Sequence, residues 1–423
     1  MASRFRCVVG FALLLFSVLA IPLEATAQDD SSDVIWTEPR ILHQVSQEIE
    51  SVSISRHTNG TLVIVWYEQA DGIMELRAVM LDDSGAPITD IWNITDHSWM
   101  VPLELEYQNS TELYQLPIRP YYPSSHIGRD GSLYIAFKHV VEYRPYLDPS
   151  IPVGHFIRLL KLDGAGNVTL DRIIYKQPSN SRDFMGPHFI LDSEDNLHLA
   201  WREERRYEMD GWNVSLREVM YMKLDGGGNV LVQPTVVSDC EGLSNFTYRY
   251  EVERPVFGMF VDESVHVSYH VYESTWEFGP TGGLRVTHTR NVTTHYTRFT
   301  ATAEGIWYTV EPTDMGPDVP YQHVARDSVG RTHLIGSRLE VFDEDLDAVF
   351  SVALPLDPSW GPVTTLIDSE DMVHVAGGMS GRYATVDRTG QIVVETRLPV
   401  GRGPHQTPSA EGYWDSRSID MVL

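Results

Sequence analysis

The chain has 423 residues, with 32 basic and 59 acidic side chains and a formal net charge of −27. Hydrophobic residues make up 42% and charged residues 22%, a globular mix that excludes disorder. So large an acidic excess repels phosphate backbones and anionic headgroups, which argues against nucleic acid or a membrane surface as the main partner.

Residues 1–27 read as a signal peptide. Arg4 and Arg6 precede an apolar run from Val8 to Leu23, and Ala25-Thr26-Ala27 offers a small-x-small cleavage site. The run is short for a bilayer span and contains Pro22. The mature chain is therefore expected to be secreted, with no membrane span after cleavage. Cys7 leaves with the signal, so Cys240 stands alone and an intramolecular disulfide is excluded. Flanked by Asp239 and Glu241, which raise a thiol pKa, Cys240 reads as a bystander. Seven of the ten asparagines open an Asn-x-Ser/Thr acceptor: Asn59, Asn93, Asn109, Asn167, Asn213, Asn245 and Asn291. Chance gives about one in ten. Asn in turns and Thr in the following strand explain two or three of them, such as Asn167. The rest point to a surface N-glycosylated in an export pathway.

Residues 28–50 form an N-terminal segment in which Trp36 to Val45 reads like an extra outer strand able to close a ring beside Gln391 to Leu398. From 51 to 400 one β unit recurs. Its clearest copy, Pro187 to Trp201, is an apolar strand, a turn opened by Asp192, and a strand alternating Leu197, Leu199 and Trp201 with His198 and Ala200. Copies run from Ser53 to Trp66, His126 to Phe137, Phe257 to Tyr269, Val324 to Ile335 and Thr364 to Ala376. Second hairpins follow at Arg77 to Ile88, Ile157 to Thr169, Val219 to Val232 and Tyr383 to Val394. Four-stranded units repeated six times predict an all-β, six-bladed β-propeller of antiparallel blades. A stack of sandwiches would need linkers and repeats of roughly 100 residues. The fifth unit shows no second Asp/Gly turn. Residues 401–423 read as a tail.

The turn wording, Asp192-Ser-Glu-Asp-Asn-Leu-His-Leu-Ala-Trp201 and Tyr221-Met-Lys-Leu-Asp225-Gly-Gly-Gly-Asn-Val230, resembles the sialidase-like, BNR-type repeat propellers of secreted proteins. The resemblance covers most of residues 50–400 and is specific in its turns. The strict Ser-x-Asp-x-Gly-x-x-Trp box and the Arg-Ile-Pro signature of sialidases are absent from the sequence, so the resemblance implies the fold and not sialidase chemistry.

Asp/Gly turns share one face of such a disc, and function concentrates in the long connections on the other. Four stretches read as long loops there: His139–Asp148, Arg202–Trp212, His270–Phe278 and Arg338–Asp347. Their arginines and aromatics suit sugar binding, because rings stack on pyranose faces and charged groups bind hydroxyls. The candidate ligand-binding residues are Tyr143, Arg144, Arg202, Arg205, Trp212, Arg254, Tyr272 and Trp276, with His126, His188 and His323 beside the central channel. A catalytic version would draw on Glu203, Glu273, Tyr207 or His270 as acid, base or nucleophile. The bland alternative is Arg–Glu pairing on solvated loops. His198, His266, His333 and His374 share one repeat position, which makes them packing residues rather than ligands to one metal. Three acidic turns, Asp192–Asp195, Asp343–Asp347 and Asp368–Asp371, have the residue types for structural calcium without its usual frame; no other cofactor and no metal site is expected. The main reading is an extracellular binding module with a glycan or protein partner. The alternative is a glycoside hydrolase or polysaccharide lyase on the same face, and a cell-envelope structural role comes third.

Overall fold

The computed structural model describes residues 49–397, except 58, 71–72, 83–84, 96–99, 104–113, 118, 142–153, 179–180, 210–211, 239–247, 260–263, 279–283, 303, 318–322, 356–362, 369 and 378–381. The expected signal peptide, the strand expected at Trp36–Val45 and the tail lie outside the described residues. Every regular element among the described residues is a strand.

Six four-stranded antiparallel blades follow one another along the chain. Blade 1 is β1 (Ile49–Arg56), β2 (Leu62–Ala70), β3 (Ile73–Leu81) and β4 (Trp92–Asn93). A hairpin of β5 (Met100–Leu103) and β6 (Tyr114–Pro117) leads to blade 2: β7 (Arg119–Ile127), β8 (Leu133–Val141), β9 (Gly154–Leu162) and β10 (Val168–Lys176). Blade 3 is β11 (Ser181–Leu191), β12 (Leu197–Met209), β13 (Trp212–Leu224) and β14 (Val230–Val236). Blade 4 is β15 (Tyr248–Met259), β16 (Val265–Phe278), β17 (Leu284–Thr302) and β18 (Gly305–Pro317). Blade 5 is β19 (His323–Arg326), β20 (Thr332–Ile335), β21 (Arg338–Phe342) and β22 (Ala348–Ala353). Blade 6 is β23 (Val363–Ile367), β24 (Val373–Gly377), β25 (Arg382–Val386) and β26 (Ile392–Arg397). The first strands lie innermost, where Ser125 Oγ meets Ser53 Oγ at 2.9 Å and the Phe189 amide meets Ser124 Oγ. The fourth strands form the half-exposed rim.

Alternation builds the core. On β8, Leu133, Ile135 and Phe137 point back to Val63, Val65 and Tyr67 of blade 1. Tyr134 and Ala136, one residue out of phase, pack forward on Leu197, Leu199 and Trp201 of blade 3. Period two thus gives each middle strand two apolar faces, and blades stack like sheets of a sandwich. Fully burying one of these side chains stabilises by about 1.5–3 kcal/mol.

The turns obey one rule. In Asp192–Asn196 the Asp192 amide donates to the Asn196 carbonyl, and Asp192 Oδ1 accepts from the amides of Glu194 and Asn196. Asp163, Asp225, Asp327, Asp343, Asp368 and Asp387 repeat the carboxylate clamp. The fourth residue must be left-handed, which explains the glycines at 60, 85, 131, 166, 228, 330 and 390. Asp195, Leu346 and Asp371 hold the same conformation at φ 59–65°.

Two expectations need correcting. Blade 5 does have a second turn, Asp343–Asp347, with Leu346 in the glycine position. Arg338–Asp347 is therefore no long loop but β21 and its turn, on the turn face. The stretches 202–209 and 270–278 are strands as well.

Candidate recognition face

Opposite the turns, the blades differ in height. β12 has 13 residues and β16 has 14, against 4 for β20 and 5 for β24. Nine extra residues lengthen a strand by roughly 30 Å. The β12–β13 ladder runs unbroken from Leu197↔Leu224 to Met209↔Trp212, and β16–β17 runs from Val265↔Phe299 to Phe278↔Leu284. The outer strand β14 pairs only with Met220–Leu224 of β13, leaving the upper edge of β13 unpaired by it. β15 takes that edge through the parallel pair Arg217↔Glu251, which fuses blades 3 and 4 into one sheet.

This fused wall collects most of the residues singled out from the sequence. Arg202, Glu203, Arg205 and Tyr207 are on β12, Trp212 on β13, Arg254 on β15, and His270, Tyr272, Glu273 and Trp276 on β16. Register places Tyr250, Glu273 and Arg290 opposite one another on β15, β16 and β17. Glu204, Arg217, Glu251 and Tyr272 form the next such row. Tyr143 and Arg144 lie outside the described residues.

At the foot of the wall, Glu203 is fully buried. Its Oε2 accepts from the Tyr175 hydroxyl at 2.5 Å and the Trp201 indole at 3.2 Å, and its Oε1 from Arg205 Nε at 3.2 Å. Arg205 also stands 3.9 Å from Glu218, the buried cross-strand partner of Glu203. Burial, reinforced by the Glu203 charge, pushes the Tyr175 hydroxyl well above the usual phenol range. Blade 1 repeats the arrangement. Glu68 accepts from the Trp66 indole and pairs across the strands with Arg77, which also binds Glu75, its neighbour on β3 and the cross-strand partner of Glu68. Recurrence two blades apart gives this cluster a structural role, in which one arginine neutralises two opposed buried carboxylates. The equivalent position in blade 2 is His139, fully buried with neither ring nitrogen hydrogen-bonded, and burial then Arg158 push it down to about 3.

Two of the four repeat histidines bridge a turn carboxylate and a tyrosine of the next strand. His198 Nε2 meets Asp192 Oδ2 at 3.3 Å and Nδ1 meets the Tyr221 hydroxyl at 2.9 Å; His374 does the same with Asp368 and Tyr383. His266 uses Ser264 and Tyr296, while His333 has only Asp327 because Leu339 stands where the tyrosine would be. Burial raises the Asp192 carboxyl, but hydrogen bonds from His198, Asn196 and two backbone amides outweigh it and hold the group far below the ordinary range. Lys223 pairs with it as well. The acidic turns considered for calcium thus spend their oxygens on backbone amides, histidines and lysine; among the described residues no group of three or more acidic, His or Cys side chains is arranged to hold a metal.

Near the channel, His126 meets the Phe189 ring at 5.1 Å, and burial lowers it to about 4. Adjacent His188 is solvent-exposed. His323 opens β19, two blades on from His188, so the three do not adjoin in one row of strands. Among the acceptor asparagines, Asn59, Asn93 and Asn167 are exposed. Asn167 donates to Asp163 as Asn196 and Asn229 do to Asp192 and Asp225, so its place in the sequence serves the turn. Asn109 and Asn245 lie outside the described residues; Asn213 and Asn291 are on β13 and β17.

No family model and no curated protein matches the chain. Solved structures do. An ulvan lyase, a polysaccharide lyase solved with a bound sugar ligand, matches at TM-score 0.48 and 10% identity, over 81% of this chain and 82% of its own. An α-L-arabinanase of Penicillium chrysogenum complexed with arabinobiose matches at 0.45 and 12%, over 80% and 92%. A Dyadobacter fermentans protein of unknown function matches at 0.44 and 10%, over 82% and 93%. An α-L-arabinofuranosidase of Fusarium graminearum matches at 0.46 and 12%, over 79% of this chain and 90% of its own. What this chain shares with these structures is the fold alone, and membership of a sialidase or BNR family is not shown.

Proposed function

We propose that this chain is an extracellular, N-glycosylated, carbohydrate-directed β-propeller that holds a glycan on the tall wall of blades 3 and 4. One observation carries the reading: among the described residues these two adjacent blades rise as long fused hairpins, above blades 5 and 6 whose second strands stop after four or five residues. A wall beside a low shelf gives an extended polymer a lateral support, and Tyr207, Trp212, Tyr248, Tyr250, Tyr272 and Trp276 supply the ring types that stack on sugars. Arginines and carboxylates are interspersed in the sequence of the wall, which favours a neutral glycan over a polyanion. The test is a glycan array with the chain lacking residues 1–27, read for binding and for released sugar. Binding that falls at least tenfold in Trp212→Ala or Trp276→Ala supports the reading; binding unaffected by both removes it.

A second reading, cleavage on the same wall, is favoured by the row Tyr250–Glu273–Arg290. It puts a glutamate in register between a tyrosine and an arginine of the neighbouring strands, the residue types of acid–base attack on a glycosidic bond. Released product that disappears in Glu273→Gln, with binding retained, would establish it.

A further inference from the structure

We propose that Asn59 is a site of self-modification, at which the chain converts its own asparagine to aspartate and isoaspartate through a cyclic imide closed by the Gly60 amide. The first turns carry the evidence. Among the described residues five of them close in one frame: 57–61, 128–132, 192–196, 327–331 and 368–372. In each, the first amide donates to the fifth carbonyl and the fourth amide to the first carbonyl. In blades 3, 5 and 6 the first residue is an aspartate whose Oδ1 accepts from the third and fifth amides. Blades 1 and 2 have His57 and Gly128 in that place. There the third side chain holds the fifth amide: Asn59 Oδ1 accepts from Thr61 at 3.0 Å, and Asp130 Oδ1 from Ser132 at 2.9 Å. His57 Nδ1 accepts from the Asn59 amide at 3.3 Å, which completes the clamp in blade 1.

The fourth residue is left-handed, with φ 93° at Gly60 and 77° at Gly131, so a glycine follows the clamping side chain. The turn therefore selects Asn59-Gly60, the one Asn-Gly pair in the sequence. Glycine sets no side chain beside its amide nitrogen, and the Asn59 side chain next to it is exposed. The Gly60 nitrogen gives up its proton and bonds to Asn59 Cγ. The Cγ–Nδ2 bond breaks, and ammonia leaves carrying that proton by way of water. A water molecule then opens the imide. Attack at Cγ gives aspartate; attack at the main-chain carbonyl carbon gives isoaspartate, with the chain running through Cγ.

Blade 2 shows the same turn with an aspartate in place. Asp130 holds the Ser132 amide as Asn59 holds that of Thr61, and it pairs with Lys161 at 3.1 Å. Burial raises the Asp130 carboxyl, but the Ser132 amide and Lys161 outweigh it and keep the group below the ordinary carboxylate range. Aspartate at position 59 thus preserves the turn. Isoaspartate adds a methylene to the main chain ahead of the Gly60 amide and breaks the closure. Folding paces the conversion, because Gly60 is buried and its amide donates to the His57 carbonyl at 2.9 Å. The nitrogen is released when the turn opens. A sugar on Asn59 Nδ2 removes the ammonia leaving group, so conversion and glycosylation exclude each other at this residue; only this exclusion rests on the glycosylation proposed above.

The test ages the full chain made without N-glycosylation, so its outcome does not depend on use of the acceptor. Peptide mapping follows Asn59 beside Asn93, Asn167, Asn196 and Asn229, which precede Ile94, Val168, Leu197 and Val230. Asn59 should convert at least about tenfold faster than any of these, and faster still as pH rises, since the attacking nitrogen must lose a proton. Urea should accelerate it by the factor, within about threefold, by which the folded turn protects the Gly60 amide from hydrogen exchange. Asn59→Asp should leave exchange of the Thr61 amide within about twofold of the parent chain. Conversion no faster than at the four comparison sites, or an acceleration in urea that departs from the Gly60 protection, would overturn the proposal. Exchange at Thr61 freed by Asn59→Asp would refute the fit of the aspartate product.

Discussion

Blades 3 and 5 share a lower half and differ in everything above it. Each opens its first turn with a buried aspartate, Asp192 or Asp327, bonded to the histidine six residues on. Above the fourth residue of its second strand, blade 5 turns back at once, whereas blade 3 adds a buried Trp–Glu–Arg–Tyr cluster and a hairpin beyond it. The lower half is what the ring needs to stack; the upper half is free to vary, and variation there is where ligand specificity can be written.

If that division is right, the two halves should fail differently. The largest loss is expected at the foot of the wall. Glu203→Ala strands Arg205 beside Glu218 alone and removes the acceptor of two buried donors, a loss of about 3 kcal/mol. By contrast Glu340→Ala on β21 of blade 5, where the carboxylate is partly exposed, should stay within about 0.5 kcal/mol. Urea unfolding of both variants checks the contrast; equal losses would remove the distinction.

In the lower half, Asp192→Ala removes acceptors for two backbone amides and for His198, Asn196 and Lys223, and should destabilise by about 2–3 kcal/mol. Asp387→Ala opens an exposed turn whose carboxylate serves only turn atoms, and should lose about 1 kcal/mol. Thermal unfolding ranks the two, and a larger loss at Asp387 would contradict the role given to the histidine bridge.

Acid should act between these extremes, through blade 2. His139 titrates near 3 in the folded chain against about 6.5 when unfolded, so the unfolded state binds the proton first. The stability this group contributes is whole above pH 6.5 and declines as pH falls from there towards 3, by about 1.4 kcal/mol per unit. His126, lowered to about 4, adds to the slope. In His139→Leu the dependence between pH 6 and 4 should flatten, and stability at pH 7 should hold or rise, since an unsatisfied buried imidazole is replaced by an apolar side chain. An unchanged slope would show that another group governs acid unfolding.

The same division decides what could be read in the sequence. The left-handed positions 60, 131, 195, 330 and 371 were legible because a five-residue turn demands either glycine or a short polar residue there. The second turn of blade 5 escaped because Leu346 fills that place and the Asp343 frame is lost among other acids. The wall escaped for a different reason: Arg202–Glu208 is too charged to look like a strand, although Asp210-Gly211 between Met209 and Trp212 is a two-residue hairpin signal. The parallel Arg217↔Glu251 pair has no local signature at all, since it depends on where β14 stops. Of the site candidates, residue types and their strands were legible; Glu203 was misplaced as a loop residue because its burial is set by Tyr175, from the previous blade.

The smallest effects should separate the two aspartates that hold left-handed backbone. Asp195 lies at φ 60°, and its carboxylate accepts only from the Arg129 amide at 3.1–3.3 Å, at a partly exposed site. Glycine there relieves a left-handed penalty of about 1 kcal/mol and forfeits a hydrogen bond of similar size, so Asp195→Gly should be nearly neutral. Asp371 has the same backbone but is buried, and its oxygens take the Ser328 amide and hydroxyl at 2.7–2.8 Å with Arg388 at 3.4 Å. Asp371→Gly forfeits more than it relieves and should lose about 1–2 kcal/mol. A double mutant should add within about 0.5 kcal/mol, because the two ties sit three blades apart; coupling beyond that would mean that the two turns are not energetically independent.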